Sequence, residues 1–86
     1  MITIDHIPIQ MRERERIDRI LTQLKTEWEK HPDARFFQLL FKLQYDYANQ
    51  HNGTGRVDAE NEGRVGFDNY DLEDDELEKF LKDWRF

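Results

Sequence analysis

Every glycine of this 86-residue chain lies between positions 53 and 66, at Gly53, Gly55, Gly63 and Gly66, and the prolines are Pro8 and Pro32. Glycine and proline are the strongest interruptions of regular structure. Their placement leaves two long uninterrupted runs ahead of residue 50 and one after residue 69. The apolar pattern of those runs then decides what they form.

Residues 11–30 hold Ile17, Ile20, Leu21, Leu24 and Trp28 at spacings of three, one, three and four, one helical stripe. His31-Pro32-Asp33 is the break, because proline disfavours helix at the residue before it. Proline also fits a first turn. A second helix is therefore expected from near Pro32, with Asp33 at the positive end of its dipole, to about Asn49. Positions 36, 40, 43 and 47 form one apolar stripe of that helix, and 37, 41 and 48 a neighbouring one. So wide an apolar surface predicts a central helix with neighbours on two sides. A third helix is predicted over 73–84, with Leu72, Leu77, Phe80, Leu81 and Trp84 on its buried side. Leu77, Leu81 and Trp84 are expected to face the second helix, and Asp75 with Glu78 has the spacing of a capping box.

Two stretches are not helical. Residues 1–10 alternate loosely through Ile2, Ile4, Ile7 and Ile9 and read as an extended apolar arm. Residues 50–69 read as a mobile polar loop, with a short hairpin or an ordered binding loop as the alternatives. The expected fold class is all-α: a single three-helix domain over 1–86, with an extended N-terminal arm and a long polar loop between the second and third helices.

Composition narrows the function. No cysteine is present, which excludes disulfides, a thiolate nucleophile and a cysteine zinc site. No run of apolar residues is long enough to span a membrane, and the first residues lack the pattern of a signal peptide, so a cytoplasmic protein is expected. No serine occurs, and Thr3, Thr22, Thr26 and Thr54 lie in no nucleophile elbow. A non-enzymatic protein without a cofactor is the expectation. His6, His31 and His51 lack the spacing of a helical metal site.

The net charge is −6 and it is unevenly distributed, +1 over residues 1–43 and −7 over 44–86. Such a chain is a poor ligand for nucleic acid and suits a basic partner. Arg12, Arg14, Arg16 and Arg19 alternate with Glu13, Glu15 and Asp18 and read as a salt-bridged, solvated helix face. The strongest acidic feature is the run from Asp68 to Glu76. Asp68, Tyr70, Asp71, Glu73, Asp74, Asp75, Glu76 and Glu78 are the candidate partner-binding residues, with Tyr70 or Phe86 as an aromatic anchor. A calcium site is a lower alternative: Asp71, Glu73 and Asp75 alternate as in a calcium loop, but Glu76 stands where that loop needs glycine.

Two blocks of the chain resemble a known family. Trp28-Glu-Lys30-His-Pro32-Asp33 followed by Gln38-Leu-Leu40-Phe-Lys42-Leu43, and Leu72-Glu-Asp74-Asp75-Glu-Leu77 followed by Leu81-Lys82, resemble the YihD-like family of small bacterial and phage proteins, a domain of unknown function. The resemblance implies a small, mostly helical cytoplasmic protein and brings no catalytic residue with it. Within these blocks Trp28 is expected to close the first helix over the Pro32 turn. Gln38 is expected to bond the backbone leading into Leu72.

The leading expectation is thus a protein-interaction module acting through an acidic C-terminal face. The alternative is a homo-oligomeric assembly protein that pairs through the arm from Ile2 to Ile9.

Overall fold

Leu39 and Leu81 are fully buried, and they come from different helices. In the computed structural model, which describes residues 12–59 and 64–86, the elements run α1 (Glu15–Glu29), α2 (Phe36–Gln50), β1 (Arg56–Ala59), β2 (Arg64–Phe67) and α3 (Asp74–Asp83). The core is built mainly by α2 and α3: Leu39, Leu43 and Tyr47 meet Phe80, Leu81 and the following Trp84. Ile20, Leu24 and Trp28 of α1 pack against that cluster, as do Leu72 and Leu77. The Trp84 indole N–H donates to Asp46 Oδ2 of α2 at 2.9 Å, which satisfies its one polar atom. Leu81 and Trp84 thus face α2 as expected. The N-terminal arm lies outside the described residues.

The Pro32 break is a turn of its own. Ala34 N–H donates to His31 O at 3.0 Å, and the Trp28 indole N–H donates to Ala34 O at 2.8 Å. Trp28 therefore does close α1 over this turn. With Ala34 held there and Arg35 extended, α2 starts at Phe36, not near Pro32. Gln38 serves that start: its Oε1 accepts the Arg35 N–H at 2.7 Å. The expected bond toward Leu72 is not made, because a glutamine at the third helical position finds the free amide of its own cap first.

The all-α expectation is corrected by a small antiparallel hairpin inside the stretch read as a loop. Arg56 pairs with Phe67, Val57 with Gly66 and Asp58 with Val65. Paired residues share a face, so Phe67 lies on one side and Val57 on the other. The Phe67 ring meets Phe41 of α2 at 5.4 Å, edge to face. Glycine makes the entry to the hairpin possible. After α2 the backbone turns through Asn52, Gly53 and Gly55, all at positive φ. Gly53 N–H donates to Ala48 O at 2.7 Å, a left-handed helix ending that favours glycine. Gly55 is also pressed against Asn69, where an added Cβ would lie 2.1 Å from Oδ1.

The apolar stripes are only partly used. Ile17 and Leu21 of α1 stay exposed. Ala48 is buried, but its stripe-mates Phe37 and Phe41 are not. On the flank of Phe37 and Phe41 the neighbour of α2 is the hairpin, through Phe67, and it leaves that flank exposed.

Gly53 and Gly55 separate two costs. Gly53→Ala imposes only the left-handed penalty, about 1–2 kcal/mol, because nothing stands within 4 Å of the added carbon. Gly55→Ala also displaces the Asn69 side chain from its hydrogen bond to Gln44. Denaturant unfolding should show the larger loss for Gly55→Ala, and equal losses would contradict the docked hairpin.

Candidate functional site

The acidic run divides into carboxylates held by this chain and carboxylates left free. Arg12 Nη2 donates to both oxygens of Glu73 at 2.7 Å. Arg16 Nε donates to Asp74 Oδ2 at 2.6 Å. Arg19 grips Glu78 with Nε at 2.7 Å and Nη2 at 2.9 Å, and also binds Glu13. Positions 12, 16 and 19 face one way along α1 and its approach, and 73, 74 and 78 face back from the start of α3. Arg12, Arg16 and Arg19 thus form a ladder to the start of α3, and Glu13 is the local acid that joins it. The Asp75–Glu78 capping box does not form, since Glu78 is held by Arg19 and Asp75 Oδ1 accepts the neighbouring Glu76 N–H at 2.9 Å. Glu76 pairs with Lys79 at 3.1 Å.

Electrostatics follow the pairing. The hydrogen bonds and charge of Arg19 hold the Glu78 carboxyl below its ordinary value. Glu73 raises the Arg12 guanidinium, Glu78 and Glu13 raise that of Arg19, and Glu76 raises the Lys79 ammonium.

Asp68, Asp71 and Asp75 are in no ion pair among the described residues and are exposed. Asp68 Oδ1 accepts the Tyr70 N–H at 3.1 Å, which orders the loop that carries Tyr70. The Tyr70 side chain is 80% exposed. It borders an open groove of about 380 Å³ between α2, α3 and their linker, lined by Leu40, Leu43, Leu72 and Leu77 with Asp74 at one side. Asn69 Nδ2 donates to Gln44 Oε1 at 3.1 Å and ties the linker to α2. The sequence run suggests eight equivalent residues. The structure leaves Tyr70 with Asp68, Asp71 and Asp75 as the available set, and adds the groove, whose residues are far apart in the chain.

Phe86 is not an exposed anchor. Its ring packs on His31 at 5.1 Å and on Trp84 at 6.0 Å. Its N–H donates at 3.0 Å to Oε1 of Glu27, a carboxylate with 4% exposure that also binds Lys30 at 2.7 Å. No signal in the sequence marks Glu27, which sits on the buried side of α1. His51 lies stacked on Tyr47 with ring centroids 4.0 Å apart, and its Nδ1 is 2.8 Å from Tyr47 O. Among the described residues no three His, Asp or Glu gather as a metal site, and no helix is long and apolar enough to cross a membrane. Of the three alternating acids of the calcium-like run, Glu73 carries an arginine, and the intervening Asp74 carries another.

Comparison with protein-family models, curated proteins and solved structures finds no match.

The Glu27 pair is open to titration. Burial alone raises its carboxyl. Hydrogen bonds from Lys30 and the Phe86 N–H, with the charges of Lys30 and Arg85, more than offset this and leave it below its ordinary 4.5. A lowered folded value means the stabilisation is complete above pH 4.5 and is lost as pH falls through the folded value. Glu27→Gln should therefore cost about 1–3 kcal/mol at neutral pH, and the gap from the native chain should narrow in acid. A gap that stays constant with pH would contradict the pairing.

Proposed function

We propose that this chain is a non-enzymatic protein-interaction module that receives a basic, amphipathic segment of a partner in the groove beside Tyr70. The observation that carries the reading is a tyrosine 80% exposed at the border of an apolar groove. Tyrosine is enriched where binding energy concentrates, beside apolar pockets that a partner can fill. Leu40, Leu43, Leu72 and Leu77 offer apolar surface to one face of such a segment. Asp68, Asp71 and Asp75 offer charge to its other face, and the net charge of −6 speeds the approach of a cation. Glu73, Asp74, Glu76 and Glu78 contribute to that field, but their nearest cations are this chain's own.

The test uses a synthetic amphipathic peptide of alternating leucine and lysine faces, and its leucine–glutamate counterpart as control. Binding followed by Trp fluorescence or calorimetry should show the lysine peptide alone retained, more weakly as salt rises. Tyr70→Ala should weaken it about 30-fold, and Asp71→Asn with Asp75→Asn should slow its association. Equal binding of both peptides, or no change in Tyr70→Ala, would refute the reading.

A further inference from the structure

The α2 flank beside the hairpin is a second surface, independent of the Tyr70 groove. Phe37, Phe41 and Tyr45 succeed one another at intervals of four, so they form a single ridge along the helix. Phe37 is 78% exposed, Phe41 48% and Tyr45 41%. Phe41 and Tyr45 stack with planes 16° apart at 6.1 Å, and Phe37 leans on Phe36 at 5.5 Å. Phe41 is held by Tyr45 and Phe67 and Phe37 by Phe36, and the ridge still faces outward. We propose that this ridge is the contact between two copies of the chain related by a two-fold axis.

Three features favour a second copy over a foreign partner. The first is charge. Helix α2 carries one cation and one anion, Lys42 and Asp46, and they pair with each other. A chain of net charge −6 repels its own kind over most of its surface, and this helix is a neutral face where two copies can approach. A foreign partner selected by charge finds nothing to read there. The second is symmetry. A ridge of three large rings at equal intervals is self-complementary under a two-fold axis through its middle, with Phe37 meeting the partner copy's Tyr45 and Phe41 near the axis. The third is area. The exposed parts of Phe36, Phe37, Phe41 and Tyr45 amount to about two whole aromatic side chains, roughly 300–500 Å². That is about half of what one partner buries in a standard interface, supplied before any flanking residue is counted.

The experiment is a molar-mass measurement on the full chain by sedimentation equilibrium across two orders of magnitude in concentration. The native chain should approach twice its 10.6 kDa mass. Phe37→Glu should remain folded by circular dichroism, since that side chain is mostly exposed, and should raise the dissociation constant about 30-fold or more. Leu21→Glu, at an exposed apolar site of α1 away from the ridge, should leave the mass unchanged. A native chain that stays monomeric throughout overturns the proposal. So does a Phe37→Glu variant that still dimerises, and a chain lacking residues 1–9 then shows whether the arm is responsible. If Phe37→Glu does not fold, Tyr45→Glu takes its place with the same expectation.

Discussion

Helix α3 has ten residues and must close two other helices at once. Its Phe80 and Leu81, with the following Trp84, fill the seam against Leu39, Leu43 and Tyr47 of α2, while Ile20, Leu24 and Trp28 of α1 reach the same cluster. Burying each such side chain is worth about 1.5–3 kcal/mol, whereas ion pairs between exposed side chains add little each. The apolar cluster therefore holds the helices together. The Arg12, Arg16 and Arg19 ladder does a different job: it fixes which part of α1 lies opposite the start of α3. At the far end of α1 the Glu27–Phe86 bond does the same with a buried charge.

Because so short a helix serves as the shared wall, apolar surface is left over. Only seven hydrophobic residues are buried among those described, and eight large ones are exposed. The surplus is not scattered. It concentrates on α2 as the aromatic ridge and at Tyr70, while Ile17 and Leu21 of α1 and Val57 of the hairpin carry the rest. A thin core and two apolar surfaces are consequences of the same geometry, and both proposed contacts use what α3 cannot cover.

The three helices were legible because each is long relative to its apolar period, and Pro32 separates the first two without ambiguity. The hairpin was not, because its strands are four residues each and Arg56 and Asp58 share a face with Val65 and Phe67, which erases the alternation. The acidic run was legible as a feature but not in its use. Sequence shows Asp68 to Glu76, with Glu78 close behind, as one acidic face, whereas Glu73, Asp74 and Glu78 meet arginines about sixty residues earlier in the chain. Such pairs leave no local signature. The groove beside Tyr70 was hidden for the same reason, since Leu40 and Leu77 come together only through the tertiary fold.

The division of that acidic run into held and free carboxylates is the point on which the account turns. It is tested most directly by comparing the native chain with an Arg16→Gln, Arg19→Gln variant in denaturant unfolding at low and at high salt. The ladder predicts a less stable variant at low salt and a gap that closes as salt screens the native pairs. Equal stability at low salt together with a Glu78 carboxyl that titrates at its ordinary value in the native chain would contradict it, because Arg19 would then leave that carboxylate free.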